Sequence, residues 1–135
     1  MKEINTIIIG AGRVGNSLAK DLEKTSNVLI IDKDKNKLAR LVDFSGFIEV
    51  GDATDISFLR ANGIEEADTV VITTDDDNTN IFLSDVCYYL FSRKNIFIRL
   101  KDSRKSTLVN KDVKCICPFD LSISDFERQL NQEVK

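Results

Sequence analysis

TIIIGAGRVGNSLAKDL, residues 6–22, changes its period part-way along. Thr6 to Ile9 is a short β-branched run of the kind that forms a buried strand. Glycines follow at 10, 12 and 15, and Val14, Leu18 and Leu22 then recur every four residues, the spacing of one helix face. A strand that turns through glycines into a helix brings the backbone close to something that side chains would obstruct. The helix N-terminus created there offers N–H groups and a partial positive charge to an anion.

Working outward, the same alternation continues. Strand candidates are Thr6–Ile9, Val28–Ile31, Phe47–Val50, Thr69–Thr73, Ile96–Leu100 and Val113–Ile116, with helical patterns between them. Phe82, Val86 and Leu90 give the helix after the fourth strand one apolar face. DLSISDFERQL, residues 120–130, forms one more amphipathic helix after the sixth strand. The expected fold is therefore α/β: a doubly wound sheet of about six parallel strands with helices on both faces. No linker or low-complexity tract interrupts it, so residues 1–135 are expected to form a single domain.

Composition narrows the function classes. Charged residues make up 30% and hydrophobic ones 42%, and no run approaches the roughly 18 consecutive apolar residues of a membrane helix. The opening MKEINT has no apolar signal segment, so the expected compartment is the cytoplasm. A net charge of −3, with both signs interspersed, gives no footprint for nucleic acid. The three cysteines, Cys87, Cys115 and Cys117, have no histidine to join them, which argues against a metal site. They read as small core residues.

Gly10, Gly12 and Gly15 spell Gly-x-Gly-x-x-Gly between a strand and a helix, and Asp32 ends the next strand about twenty residues on. Gly10 makes the turn, Gly12 admits a pyrophosphate and Gly15 lets the helix pack close to the sheet. Asp32 accepts hydrogen bonds from the ribose hydroxyls and repels a 2′-phosphate, favouring NAD over NADP. Asp34 reads as a solvated turn residue. In EVGDATD the third strand runs into Gly51, Asp52, Ala53 and Thr54 at the ligand-binding end of such a sheet. Asp52 either takes the exocyclic amino group of adenine or, like Thr54, caps the following helix. The fourth strand delivers Thr73, Thr74 and Asp75 to the same crevice, where capping is again the alternative.

GAGRVG, IDKD, GDAT, ADTVVITTDDDNTNI and IFIRLKD together resemble the N-terminal nucleotide-binding domain of the TrkA/KtrA proteins, the RCK domains that regulate K+ conductance. The resemblance spans roughly residues 4 to 132. It implies a Rossmann-like regulatory domain, not an enzyme, that binds NAD(H), ATP, ADP or AMP and controls a membrane K+ channel or transporter subunit. By position it makes Arg13 the basic residue reaching the phosphates, with Val14 beside it, and adds Lys33 and Asn80 to the cofactor-binding set. Arg99 on the fifth strand either joins that set or forms a structural ion pair. The resemblance also implies a homodimer or higher ring and a location peripheral to the inner face of the membrane through the partner, without insertion. The smaller C-terminal subdomain of such proteins is not among these residues, so the chain is expected to be either an excised domain or a short standalone form.

The competing readings are a small NAD-dependent oxidoreductase and an NAD(H) redox sensor. The first needs a general acid or base near the nicotinamide, and the chain offers no histidine and only the tyrosines of VCYYLF, on a helix read as core. The second needs a basic DNA-binding face, which the charge pattern does not provide.

Overall fold

The structure, a computed structural model, describes residues 3–134. The chain runs β1 (Thr6–Ile9), α1 (Arg13–Leu22), β2 (Val28–Asp32), α2 (Lys35–Ala39), β3 (Phe47–Val50), α3 (Ile56–Ala61), β4 (Thr69–Ile72), α4 (Asp77–Asp85), β5 (Ile96–Arg99), β6 (Lys114–Ile116) and α5 (Pro118–Val134). A π-helical turn, Val86–Leu90, continues α4, and a 3-10 helix, Ser103–Leu108, precedes β6. All strand pairs are parallel and the order is β3-β2-β1-β4-β5-β6. This is the expected Rossmann-like doubly wound sheet.

The strand alternation sorts the core into two layers. Ile7 and Ile9 point to one face, joining Leu29, Ile31, Val70, Ile72, Ile96 and Ile98 beneath Leu59 of α3 and Leu83 of α4. Ile8 points to the other, with Val28, Ile30 and Val71 beneath Ala19 of α1 and Leu38 of α2. Burial on both faces explains why β1, β2 and β4 are nearly continuous apolar runs. Ile9 pairs with both Ile31 and Ile72, so these three strands end level and their following residues share one rim.

Two expectations change. Phe82 and Leu90 are exposed and Val86 is half-buried. The row that faces the sheet is Leu83, Cys87 and Phe91, one residue further round the helix. The widened last turn, in which the Phe91 N–H donates to Val86 O at 3.2 Å, keeps Phe91 in that row. Of the cysteines, Cys87 is core, Cys117 is half-buried and Cys115 is exposed.

The last helix, α5, is amphipathic as its sequence pattern implies, and its apolar residues are uncovered. Every side chain from Phe119 to Gln132 is exposed, so its apolar residues do not cover the sheet of their own chain. On the β5–β6 side, Lys114 Nζ lies 4.8 Å from the ring centre of half-buried Phe97.

Candidate functional site

The level ends of β1, β2 and β4 form the point where the winding of the sheet reverses, and a cleft of about 340 Å³ opens there. Its lining includes Gly10, Asp32, Lys33, Gly51, Asp52, Ala53, Thr54, Thr74 and Asp75, all candidates from the sequence. It also includes Lys37, Asp76 and Thr79, which the sequence reading passed over.

The glycines divide their tasks by geometry. Gly10 has φ +108°, and a Cβ there would lie 2.7 Å from the Thr73 carbonyl carbon. A Cβ on Gly15 would overlap the Gly10 carbonyl oxygen and approach Thr73 Oγ1 to 2.8 Å, so this glycine sets the helix-to-sheet distance. Gly12 is different. It is the N-cap of α1, and the nearest atom to a Cβ there is Asp75 Oδ1 at 4.0 Å, leaving open space above the loop. No side chain caps α1 and no acidic residue occupies its first turn, so its positive end is not neutralised from within the helix.

Asp32 ties the loop to the sheet. Its Oδ2 accepts the Ala11 N–H at 2.8 Å and its Oδ1 accepts the Asp34 N–H at 2.8 Å. Each oxygen keeps a lone pair for a further donor. Asp34 is more than a solvated turn residue, because its side chain caps α2 by accepting the Asn36 N–H.

The capping alternatives fall away for the other candidates. Asp55 is the N-cap of α3, accepting from the Ser57 and Phe58 amides, so neither Asp52 nor Thr54 is needed there. Asp52 instead accepts from the Thr54 N–H and hydroxyl at 2.9 and 2.7 Å, and those bonds hold its carboxyl below the usual range. Asp76 is the N-cap of α4. Asp75 is therefore free of that task, and it bridges Lys37 Nζ at 2.8 Å and Arg99 Nη1 at 3.6 Å. The Lys37 hydrogen bond leads the lowering of the Asp75 pKa and raises that of Lys37.

Several candidates serve the site from behind. Buried Thr73 donates to Gly10 O at 3.1 Å, locking the loop to β4. Asn80 is wholly buried: its amide nitrogen donates to Thr74 O and Arg99 O, and its oxygen accepts the Thr74 N–H and faces the Thr74 hydroxyl. It clamps β4 to β5 and does not line the cleft. Asp77, unnoticed in the sequence, accepts the Lys101 and Asp102 amides at 2.8 and 3.0 Å and so fixes the turn after β5. Arg13 is exposed at the start of α1 and Val14 half-buried beside it, both outside the cleft lining. Arg99 forms the ion pair with Asp75, its Nε being buried without a partner among the described residues.

The family model of the TrkA-N domain matches residues 6–116. The chain belongs to the TrkA-N domain family. The Trk system potassium uptake protein TrkA of Streptomyces coelicolor is 34% identical over 110 residues, which cover 80% of this chain and 49% of that protein. The TrkA homolog 1 of Methanosarcina mazei is 35% identical over 133 residues, covering 96% of this chain and 31% of that protein. This TrkA-N chain thus spans about half or less of the length of these relatives. Among solved structures, the GsuK channel bound to NAD superposes with a TM-score of 0.81 at 27% identity, covering 98% of this chain and 24% of that one. GsuK bound to ADP gives 0.79 at 28% identity, covering 96% and 34%.

Proposed function

We propose that this TrkA-N domain binds an adenine nucleotide, NAD(H), ATP, ADP or AMP, in the cleft and acts as a regulatory domain of a potassium channel or transporter. The observation that carries this reading is the open space over Gly12 at the uncapped N-terminus of α1, with Asp32 and its spare lone pairs on the adjoining rim. In this reading the phosphates lie over Gly12, within reach of Arg13, Lys37 and Arg99. Asp32 holds the ribose hydroxyls, with Lys33 beside it. The Gly51–Thr54 turn flanks the adenine, with the Asp52 carboxylate toward its exocyclic amine. Thr73, Thr74 and Asn80 keep the β4 rim in place. The names of the relatives and the nucleotides in the GsuK structures support the same assignment.

The domain acts by changing its affinity for a partner, not by chemistry. A nicotinamide-dependent enzyme needs an acid or base at the reacting carbon, and of the polar side chains lining the cleft Lys37 and Asp75, Asp52 and Thr54, and Asp76 and Thr79 are paired in one another's hydrogen bonds. Among the described residues no helix is long and apolar enough to cross a membrane. In this reading the link to the membrane runs through the transport subunit. The domain works as a homodimer or larger ring in the cytoplasm, against the inner face of the membrane.

Calorimetric titration with NAD, NADH, ATP, ADP, AMP and NADPH tests the proposal. Saturable binding of at least one unmodified-ribose nucleotide, weaker binding of NADPH and no oxidation of NADH with carbonyl compounds are expected. No binding of any adenine nucleotide would overturn it.

A further inference from the structure

Asp75 caps no helix and fixes no turn, tasks that fall to its neighbours. Asp76 caps α4 and Asp77 holds the turn after β5. Asp75 is nevertheless fixed, between Lys37 of α2, which lines the cleft, and Arg99 of β5, which lies behind the lining. Its Oδ1 is the nearest atom to the space over Gly12, at 4.0 Å from the Cβ that glycine lacks. A negatively charged oxygen thus borders the space that the glycine loop keeps clear for an anion, held by two cations that could face that anion instead.

Arg99 sharpens the point. Its side chain is only 20% exposed, and its Nε is buried without a partner among the described residues. A guanidinium whose Nη1 meets one carboxylate oxygen at 3.6 Å is weakly satisfied, and a phosphate oxygen accepting from its terminal nitrogens would suit it better.

We propose that Asp75 is a built-in anion latch: it holds Lys37 and Arg99 while the cleft is empty, and the phosphates of an incoming ligand displace it and take both cations. The inference rests on the nucleotide-binding reading and adds a regulation to it. Releasing Asp75 frees the turn whose Thr74 hydroxyl meets Asn80 and whose Asp76 caps α4. Occupancy of the phosphate position is thereby felt at the start of α4. The latch also makes the site sensitive to phosphate number, because every gained phosphate contact replaces an existing carboxylate contact.

The test is titration of wild type and Asp75→Asn, full chain, with tripolyphosphate, ATP, NAD and adenosine. Tripolyphosphate and ATP are expected to bind Asp75→Asn about tenfold or more tightly than wild type, with adenosine unchanged. No gain for tripolyphosphate, or a loss, would overturn the latch. If Asp75→Asn does not fold, the carboxyl 13C resonance of Asp75 in wild type gives the answer. Its midpoint rises toward the ordinary carboxylate value when tripolyphosphate binds, and an unmoved midpoint overturns the proposal. A tripolyphosphate gain with no binding of NAD or adenosine, and with ATP held no more tightly than tripolyphosphate, would remove the nucleotide reading and leave the latch. NAD binding without the gain would do the reverse.

Discussion

Asp32 Oδ2 accepts the backbone N–H of Ala11 at 2.8 Å, joining the end of β2 to the middle of the glycine loop 21 residues earlier. The carboxylate proposed to recognise the ribose therefore also shapes the loop proposed to hold the phosphates.

Asp32→Ala should accordingly fail in two ways. Losing bonds to a charged group costs about 1.5 to 3 kcal/mol, and that range applies both to the fold, through the Ala11 and Asp34 amides, and to NAD, through the ribose. Denaturant unfolding reads the first and calorimetry the second, with discrimination against NADP relaxed. Equal NAD affinity in wild type and variant, beside a weakened fold, would make Asp32 a scaffold residue alone.

The glycines give opposite outcomes. Gly12→Val should leave the domain folded, since its Cβ meets nothing nearer than 4.0 Å, yet fill the pyrophosphate space. A saturating nucleotide, which at a hundredfold its dissociation constant adds about 2.7 kcal/mol, should then no longer raise the melting temperature. Gly15→Ala should cost the fold itself about 1 to 3 kcal/mol or more, because its methyl group has no room against Gly10 and Thr73. Thermal melts of both variants with and without NAD separate the two roles.

Asn80→Ala should weaken the domain although Asn80 lies outside the cleft lining. The substitution strips the partners from the Thr74 amide and from the carbonyl oxygens of Thr74 and Arg99 in a buried setting, at about 1 to 3 kcal/mol for a group left unsatisfied. Unfolding by urea, with ligand affinity measured well below the midpoint, is the check.

What the sequence disclosed follows from how local each signal is. Gly-x-Gly-x-x-Gly between a strand and a helix, and Asp32 at the next strand end, are fixed by backbone geometry over a few residues, so β1, α1 and β2 could be placed from spacing. The sequence places Asp75 at the crevice, but its partners Lys37 and Arg99 lie 38 and 24 residues away in the chain, and only the side-by-side pairing of β2, β1, β4 and β5 brings the three together. The buried row of α4 was missed because Phe82, Val86 and Leu90 and Leu83, Cys87 and Phe91 are adjacent stripes of equal apolarity. Which stripe faces the sheet depends on the strands below it. Asn80, a ligand residue by the family resemblance, has its hydrogen-bond groups all engaged in clamping β4 to β5, which its sequence position alone does not reveal.

Alkaline pH should destabilise the domain through Cys87. Burial pushes its thiol from 9.0 up to about 12. A group whose folded pKa is raised contributes stability that is complete below the unfolded value and lost as pH rises toward the folded one, here between about pH 9 and 12. Cys87→Ala lowers stability at neutral pH by leaving a small cavity but should show a shallower decline across that window. Urea midpoints at about pH 8, below that window, and about pH 10.5, inside it, compare the slopes, and parallel declines would place the alkaline sensitivity elsewhere.

Self-association is the final expectation, and α5 is where it should reside. Phe119, Ile123, Phe126 and Leu130 follow one another at intervals of four, three and four, a single stripe along the helix, and all four are between 47% and 65% exposed. The intramolecular alternative, in which these residues cover their own sheet, does not hold in this fold, and Leu121 is exposed beside them. A helix with this much bare apolar surface gains by burying it against a second copy, and a twofold pair is the commonest closed arrangement. Regulation requires such a neighbour, because a nucleotide held within one domain shifts an equilibrium only through its different affinity for two arrangements of domains. Burying a phenylalanine contributes about 1.5 to 3 kcal/mol, and each dimer would bury two copies of Phe126, so Phe126→Asp should weaken the dimer by about a hundredfold or more. Sedimentation of wild type and Phe126→Asp, each with and without NAD, measures this directly. A wild-type monomer in every condition, or a dimer indifferent to Phe126→Asp, would leave the cleft assignment standing and require a different surface to carry its signal.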